Sequence, residues 1–417
     1  MENIEVPEYF ICPISLQIMK DPITIVTGIT YDRDSIERWL SKNPNNNAIC
    51  PVTKLHVPRD SDLTPNHTLR RLIQAWCVSN GFNVVDRVLT PKPPLSKFYV
   101  LNLVLDLSVP KMENIKTLEK LEMLAKENER NKTYMVEVGV HETLVNFLIQ
   151  CYKKCNTNGL EKALSTLCLI WDFSSCHENK VKNREEMLID SITWALGLDH
   201  DMQNHAMIKN HAMNVLRFII GKANTSTLDR LKPQLFEKII RFLRESDSNT
   251  TTITQKGVNA ALQVMVDTSP SGKNRNLMIQ SRAILELIEL ELNFSSNKKN
   301  KELIFGILFN LCSCADGRAQ LLSHAAGIAL ITKRILKVSP IVDEKAILIL
   351  CLISKYSATS GILQEMLKVE SVSKICTVIQ ADFPSHIKDK AREILRSHFD
   401  VWKNSPCVEV ATLTRYA

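Results

Sequence analysis

The sequence lacks several features that mark whole classes of proteins. It has no uninterrupted apolar run of the ~18 residues that a membrane-spanning helix requires. Residues 1–7 read Met-Glu-Asn-Ile-Glu-Val-Pro, which is acidic and has no apolar core, so a secretory leader is not expected. We therefore expect a protein without a transmembrane segment, located in the cytoplasm, with the nucleus as the alternative compartment.

The cysteines lack the paired Cys-x-x-Cys spacing of a zinc site. Apart from Cys151/Cys155 and Cys312/Cys314, the twelve cysteines are scattered singly, which is typical of buried free thiols in a reducing compartment. The alternative, a zinc site, needs four clustered ligands. We therefore expect no metal and no other cofactor.

The basic charge is not concentrated in any one segment. The chain has 52 Lys and Arg against 45 Asp and Glu, a net charge of +7, yet residues 1–80 hold eight basic and nine acidic side chains. Nucleic-acid-binding surfaces cluster basic residues on one face together with aromatic groups. A dilute excess over the remaining residues is a weak sign of such binding, so no nucleic-acid partner is expected.

The first 80 residues predict a small α+β domain, assigned to residues 5–80. The β-branched run 23–27 followed by Gly28 indicates a hairpin strand and its turn. A helix is predicted to begin at Asp32 or Asp34, either of which can cap it. A second helix directs four apolar side chains to one face: Leu69, Leu72, Ile73 and Trp76.

Beyond this domain the chain predicts a linker and then a helical array. Three prolines and no helical period in residues 83–96 indicate a linker, assigned to 81–97. Residues 98–403 are dominated by Leu- and Ile-rich helical segments with short polar breaks, and 404–417 are assigned to a C-terminal tail.

The helical segment repeats itself. Ile284, Ile328 and Val372 follow one another at intervals of 44 residues, each after a polar turn and an apolar helix, and Val140 lies in an earlier copy. Helical repeats of this length indicate an armadillo- or HEAT-like solenoid, in which each repeat buries its apolar face only against its neighbours. The spacing between Val140 and Ile284 is less regular, so degenerate repeats are expected there.

Three segments carry a family resemblance: VPEYFICPISLQIMKDPITIVTGITYDRDSIERWL at 6–40, ICPVTK at 49–54 and LTPNHTLRRLIQAWC at 63–77. Together they resemble the U-box of plant ubiquitin ligases, and the helical segment is similar to the armadillo regions of short plant U-box proteins linked to stress and pathogen responses. A U-box is similar in fold to a RING finger without zinc. Ser15, which follows Cys12 at the Cys-x-x-Cys spacing, cannot replace a thiolate ligand.

The resemblance implies that the protein recruits a ubiquitin-charged conjugating enzyme and promotes direct transfer of ubiquitin to substrate lysines and to itself. Ile14, Trp39 and Pro51 are the residues that match the family's groove for that enzyme. The alternative for Trp39 is core packing beside Ile36. The side chains expected to support the groove are Cys12, Asp21, Tyr31 and Cys50.

Polar contacts are expected to hold the two loops of the domain in place of metal. The candidate groups are Asp21, Thr30, Asp32, Arg33, Glu37 and Asp62, over a core of Ile18, Met19, Tyr31, Ile36, Leu40 and Leu72. The sequence does not assign the individual pairs.

Lys54 stands where several U-boxes have an arginine that helps to position the donor ubiquitin. Because lysine lacks the planar fork of a guanidinium, Lys54 should bridge the conjugating enzyme and ubiquitin more weakly than an arginine would. The alternative is that Lys54 is a solvated surface residue.

By the same resemblance, the third helix of each armadillo repeat lines a groove that holds the substrate. The candidates for contact with substrate are Trp171, Arg217 and Asn310, with Asp172 beside them, and ordinary repeat packing is the alternative for each.

Three other functions are alternatives: a thioester-forming ligase, a structural adaptor and a nuclear-import-like carrier. A thioester-forming ligase needs a reactive cysteine in its own catalytic lobe, and the helical pattern leaves no room for one. A structural adaptor would have a defective groove, yet Ile14, Trp39 and Pro51 are all present. A nuclear-import-like carrier would leave residues 1–80 without a role. A homodimer formed near Val84 and Val85 remains open. The sequence therefore predicts a U-box ubiquitin ligase with a substrate-binding helical array.

Overall fold

The chain folds into two compact units, Met1–Pro94 and Leu95–Ala417, in a computed structural model. The structure describes residues 6–41, 49–58, 63–79, 97–108, 114–171, 184–198, 205–246, 253–293 and 297–404. The predicted linker 81–97, the tail 404–417, Asp62, Asp172 and the Val84–Val85 segment fall wholly or almost wholly outside these ranges. The predicted domain boundaries and dimer segment therefore stay predictions.

The N-terminal unit combines a small sheet with two helices. Its elements are a 3-10 turn at Glu8–Phe10, β1 (Pro22–Thr24), β2 (Thr30–Asp32), α1 (Arg33–Ser41), β3 (Thr64–Pro65) and α2 (His67–Ser79). The strands form an antiparallel sheet in the order β2-β1-β3. Gly28 adopts φ 79° in the β1–β2 turn, a conformation that glycine reaches without steric cost. The predicted hairpin is confirmed, but its first strand ends at Thr24 rather than Thr27.

A small apolar core lies between the sheet and the helices, and it includes Met19, Tyr31 and Ile36 as predicted. Ile18 and Leu40 pack against it while partly buried. The prediction for Leu72 is wrong, since this side chain is 52% exposed. The buried apolar side chains of α2 are Ile73 and Cys77, one turn apart, so Leu72 lies at the edge of the apolar face.

The second unit is helical throughout the residues that the structure describes. In chain order its helices are α3 (Lys97–Ser108), α4 (Asn114–Glu127), α5 (Glu129–Glu137), α6 (Val140–Lys154), α7 (Leu160–Ile170), α8 (Glu185–Leu196), α9 (His205–Lys222), α10 (Thr225–Leu228), α11 (Pro233–Ser246), α12 (Gln255–Thr268), α13 (Gly272–Gln280), α14 (Ala283–Asn293), α15 (Lys298–Cys312), α16 (Ala315–Ser323), α17 (Gly327–Arg334), α18 (Pro340–Tyr356), α19 (Ser360–Lys368), α20 (Ser371–Gln380), α21 (Ser385–Ser397) and α22 (Phe399–Trp402).

These helices form repeats of a first, a second and a third helix. The second helices stack on one another in the order α3, α6, α8, α11, α14, α17 and α20. The third helices stack in a parallel layer in the order α4, α7, α9, α12, α15, α18 and α21. One continuous apolar core runs between the layers. This confirms the predicted all-α repeat array after a small α+β unit.

The predicted repeat register holds where the spacing was regular. Val140, Ile284, Ile328 and Val372 all lie buried near the start of a second helix. Several helices begin at a residue whose side-chain oxygen accepts a backbone N–H from the first turn, as Asn297 does from Asn300. The expected irregularity before Ile284 appears in α10, a first helix reduced to Thr225–Leu228.

Candidate docking site and family membership

Two loops of the N-terminal unit share one backbone design. In residues 12–17 the N–H of Cys12 bonds the carbonyl of Gln17 at 2.9 Å, and in residues 50–55 the N–H of Cys50 bonds the carbonyl of Leu55 at 2.8 Å. Each loop closes on a residue in the left-handed region, Leu16 at φ 56° and Lys54 at φ 60°. This likeness was not predicted from the sequence, although its signal is present in the matching segments Ile-Cys-Pro-Ile-Ser and Ile-Cys-Pro-Val-Thr.

Strand β2 ties both loops to the core through neighbouring residues. The N–H of Asp32 donates to the sulfur of Cys12 at 3.3 Å. The hydroxyl of Tyr31 lies 3.1 Å from the sulfur of Cys50 and accepts the N–H of Val52 at 3.3 Å. Three of the predicted supporting residues, Cys12, Tyr31 and Cys50, therefore belong to one connected network.

Hydrogen bonds surround the Cys50 sulfur, which is completely buried. Burial raises the pKa of this thiol, but donation from Thr27, Thr53 and Tyr31 outweighs it and lowers the pKa to about 6. Burial and the neighbouring sulfur raise the pKa of the Tyr31 hydroxyl, which keeps it protonated. Burial also raises the pKa of Cys12, yet donation from the Asp32, Ser15 and Ile14 backbone lowers it overall. In each loop, protein N–H and O–H groups surround a sulfur that a metal would otherwise ligate.

Asp21, the fourth predicted supporting residue, joins the first loop to both helices. Its carboxylate accepts the Nε–H of Arg33 on α1 at 2.6 Å and pairs with Arg70 on α2 at 3.4 Å. Arg33 also approaches Glu37 at 3.5 Å. The neighbouring carboxylate of Asp32 accepts the N–H groups of Lys20 and Asp21 at 2.8 and 2.9 Å. These are polar pairs that the sequence could not assign.

Trp39 lies on α1 with 38% of its surface exposed, whereas Ile36 on the same helix is completely buried. The helix therefore divides its apolar residues between the core and the surface. The indole Nε1–H donates to the carbonyl of Ile49 at 3.0 Å, which links the exposed face of α1 to the second loop. Core packing, the alternative for Trp39, does not describe this geometry.

Ile14 and Pro51 are both half-buried, one in each loop, and Ile14 packs against the core of the unit. Additional exposed apolar side chains that the sequence analysis did not single out accompany them: Leu16, Ile49, Val52 and Leu55. The structure thus joins Trp39 directly to the second loop, and joins Ile14 to the same framework through Cys12 and β2.

Lys54 is exposed at the end of the second loop. Its ammonium donates to the carbonyl of Pro51 at 2.9 Å, so the side chain lies back along its own loop.

In the helical unit the structure brings Trp171 and Arg217 together. The Trp171 ring stacks on Phe218 at 6.2 Å with planes 15° apart, and the Arg217 guanidinium carbon lies 4.6 Å from the Phe218 ring centre. Asn310, on α15, is not part of this group. Its Nδ2 donates to the Oγ of Ser269 at 2.7 Å, a contact between neighbouring repeats.

A buried carboxylate joins α4 to α7 in the first repeats. Glu122 accepts hydrogen bonds from Lys126 and Ser165, both at 2.7 Å, and lies 3.1 Å from Lys162. Burial raises the pKa of Glu122, but the hydrogen bonds and charges of these partners lower it to about 2. This ion cluster holds two third helices in register.

The described ranges contain neither a metal-binding cluster nor a membrane-spanning helix. No cluster of three or more His, Cys, Asp or Glu side chains there has a geometry suited to a metal ion. Among the same residues, no helix combines the length and the apolar character needed to cross a bilayer.

Comparison with known proteins matches both units to family models. Residues 6–81 match the U-box domain, and residues 100–417 match the plant U-box protein ARM repeat region. Among curated proteins, the chain is 39% identical to E3 ubiquitin-protein ligase PUB24 of Arabidopsis thaliana, over 99% of this chain and 96% of that protein. It is 36% identical to E3 ubiquitin-protein ligase PUB23 of the same plant, over 100% of this chain and 98% of that protein.

A third Arabidopsis thaliana relative, E3 ubiquitin-protein ligase PUB22, is 35% identical over 98% of this chain and 97% of that protein. These matches cover both units and nearly the full length of each relative. With its two-loop α+β unit and its helical repeats, the chain therefore belongs to the plant U-box E3 ubiquitin-protein ligases that carry an armadillo repeat region.

Proposed function

We propose that the N-terminal unit docks a ubiquitin-conjugating enzyme and promotes ubiquitin transfer without forming a covalent bond to ubiquitin. In this transfer a substrate lysine amine attacks the thioester carbonyl on the conjugating enzyme. The isopeptide bond forms, the carbon–sulfur bond breaks, and the thiolate remains on the conjugating enzyme. The ligase restricts the motion of the loaded thioester so that attack becomes frequent.

The observation that carries this proposal is the hydrogen bond from Trp39 Nε1 to the Ile49 carbonyl. It ties an exposed aromatic ring of α1 to the start of the second loop, which also carries Pro51 and the exposed Val52. Small interfaces are often anchored by one such aromatic residue within a few apolar contacts. Ile14 supplies the contact from the first loop.

Self-ubiquitination of the purified protein with activating enzyme, conjugating enzyme, ubiquitin and ATP tests this docking. Trp39→Ala should lower the rate at least ~30-fold, the loss expected for an interface hot spot. Trp39→Phe keeps an apolar ring but loses the hydrogen bond to Ile49, so its rate should lie between those of the wild type and Trp39→Ala. Leu72→Ala, which also truncates an exposed apolar residue, is the control and should match the wild type.

Activity should also survive a metal chelator. Full activity in Trp39→Ala, or activity after deletion of residues 1–80, would show that ubiquitin transfer uses another mechanism.

A thioester-forming mechanism is the main alternative, since Cys50 has a lowered pKa. The thiol is completely buried, however, and an attacking thiolate must reach its substrate. Burial raises the pKa of the thiols of Cys151 and Cys312, which disfavours them as nucleophiles. A ubiquitin adduct on this chain that is cleaved by thiol reagents would favour the alternative.

We propose a positioning role for Lys54 toward the donor ubiquitin. The exposure of Lys54 supports this role. Its ammonium would release the Pro51 carbonyl and donate a hydrogen bond to an acceptor on ubiquitin instead. Lys54→Arg should then raise the transfer rate several-fold and Lys54→Ala should lower it, with conjugating-enzyme affinity unchanged. If Lys54 is only a solvated surface residue, both variants will transfer ubiquitin at the wild-type rate.

The armadillo repeats are proposed to hold the substrate. The continuous layer of third helices, with Trp171, Arg217 and Asn310 on or beside it, supports this assignment. Proximity labelling with an inactive Trp39→Ala ligase should retain substrates that the active ligase would mark for removal. Identical labelling after replacement of the repeats by an unrelated helical array would contradict it.

We propose a role in stress or defence signalling from the resemblance to the stress and pathogen-response group. The proposed location is the cytoplasm, with the nucleus as the alternative. A fluorescent fusion would report its location, and defence-marker transcripts in a loss-of-function line would report its role. A homodimer is also proposed, and light scattering on the full chain would measure it.

A further inference from the structure

Arg217 lies at the meeting point of three successive third helices. The residue is on α9 and is half-buried, with its guanidinium carbon 4.6 Å from the ring centre of Phe218. Phe218 in turn stacks on Trp171, at the end of α7. The charge of Arg217 also acts on Asp267 of α12, where it lowers the pKa of the carboxyl. A guanidinium held over an aromatic ring loses little freedom when it binds a ligand.

The charge of Arg217 has no carboxylate paired with it among the residues that the structure describes. Its Nε is buried without a hydrogen-bond partner there, and its guanidinium forms no ion pair with them. Asp267 forms no ion pair or hydrogen bond with Arg217, and its carboxylate instead accepts the Nε2–H of Gln263 at 2.8 Å. Burial raises the pKa of Asp267 above its usual range despite the neighbouring cation. Within the described part of the chain, the positive charge of Arg217 is therefore left without a paired carboxylate.

A second observation one turn earlier on α9 also indicates a missing partner. Asn214 is 7% exposed, and its Nδ2 donates to the carbonyl of Asn210 at 2.7 Å. Its Oδ1 is buried and accepts no hydrogen bond from any described residue. Buried acceptors in native proteins are nearly always satisfied, by protein, water or ligand. Residues three apart on a helix share a face, so Asn214 and Arg217 belong to the same surface.

We propose that Arg217, held by the Phe218–Trp171 stack, binds the carboxylate of an aspartate or glutamate side chain in an extended substrate peptide. This subsite rests on the proposed function, in which the repeats hold the substrate. The carboxylate pairs with the guanidinium in a charge-assisted, two-pronged contact, the strongest polar contact available to arginine. A peptide N–H beside it supplies the donor that Asn214 lacks.

The surroundings favour a single carboxylate over a phosphate group. Arg217 is the cation that acts on Asp267, and burial raises the pKa of that carboxyl, which weakens its competition for the guanidinium. A doubly charged phosphate would need several cations, as nucleic-acid sites provide. A basic peptide would meet the unpaired cation of Arg217. One carboxylate therefore matches the charge that is present.

Fluorescence anisotropy with the full chain tests the subsite. Three labelled pools of decapeptides, random except for a central Glu, Gln or Lys, serve as probes. The Glu pool should bind about tenfold more tightly than the Gln pool, the gain expected for a charge-assisted contact. Arg217→Gln should abolish that preference, and Arg217→Lys should keep part of it. Lys222→Gln, which removes another cation from α9, should keep all of it.

Different negative results separate a failure of the Arg217 subsite from a failure of the proposed substrate groove. Equal binding of the Glu and Gln pools to the wild type would overturn the subsite and leave the substrate groove intact. A preference that survives Arg217→Gln, or tighter binding of the Lys pool, would overturn the role of Arg217. No binding of any pool by a wild-type protein that still ubiquitinates itself would overturn the substrate groove as well, and would leave the docking of the conjugating enzyme unaffected.

Discussion

The N-terminal unit and the helical unit are stabilised in different ways. In the first, a small core is surrounded by directed polar contacts, such as those of Asp21 with Arg33 and Arg70. In the second, a continuous apolar core runs through successive helix layers. A small unit buries too little apolar surface to be stable by burial alone, and its loops need exact partners to keep their shape. Removing one polar group should therefore damage the docking loops, whereas the solenoid should respond chiefly to lost volume.

The largest effect is expected from Phe305→Ala in α15. The side chain is completely buried in the repeat core, and such truncations cost about 3–5 kcal/mol. Urea unfolding followed by far-ultraviolet circular dichroism would measure the loss. Phe399→Ala, a truncation of an exposed ring in α22, is the matched control. Equal losses in the two variants would mean that burial does not dominate the stability of the repeats.

Asp21→Asn tests whether polar contacts stabilise the N-terminal unit. It removes the charge that pairs with Arg33 and with the buried Arg70, so we expect a loss of about 2–3 kcal/mol in the N-terminal unit. Hydrogen exchange of amides in residues 12–33 would measure the free energy of local opening. Asp34→Asn, with an exposed carboxylate on α1, makes the same chemical change and should cost far less. Unchanged exchange in Asp21→Asn would show that the loops do not depend on this network.

Glu122→Gln tests whether a buried ion cluster matters inside the helical unit. Since the pKa of Glu122 is lowered to about 2 in the folded chain, its contribution is complete above the unfolded pKa of about 4.3. That contribution is lost as the pH falls toward the folded value. We expect a difference of about 2 kcal/mol between wild type and variant at neutral pH, shrinking between pH ~4.5 and ~2.

Thermal unfolding as a function of pH would measure this difference. Glu129→Gln, at an exposed position in α5, should show no such pH dependence. A constant difference between wild type and Glu122→Gln over that range would rule out the carboxylate as its cause.

The smallest effect is expected from Tyr31→Phe. This change removes one hydroxyl and leaves the ring in the core, so it should cost about 1 kcal/mol. Hydrogen exchange at residues 49–55 should rise because the Val52 N–H loses its acceptor. Self-ubiquitination should fall with it, whereas Tyr9→Phe, at an exposed ring, should change neither. Rapid exchange in the second loop of the wild type itself would remove the basis for this expectation.

The two regions also differed in how far their sequence could be interpreted. In the helical unit the interval of 44 residues predicted the equivalence of Ile284, Ile328 and Val372, because every repeat must present the same apolar face to its neighbours. The same logic could not identify the Arg217–Phe218–Trp171 stack, which depends on contacts between repeats of irregular spacing.

In the N-terminal unit the motif identified Trp39, Tyr31 and Cys50, but not how they connect. Two of the partners of the Cys50 sulfur, Tyr31 and Thr27, are 19 and 23 residues away. The Asp21–Arg70 pair spans 49 residues. No local pattern encodes such pairs. Leu72 was misassigned for a related reason, since helical periodicity defines a face but not where its edge meets solvent.

The left-handed backbone at Lys54 favours glycine, whereas the proposed function of this position needs a cation. A residue with a side chain loses about 1 kcal/mol or more in this conformation, and glycine would remove that penalty. Glycine, however, carries no ammonium, and arginine would keep both the charge and the penalty. The ammonium of Lys54 folds back onto the Pro51 carbonyl, which recovers part of this loss. In the transfer role proposed for Lys54, the ammonium must leave that carbonyl before it can bind ubiquitin, which adds a cost to that step.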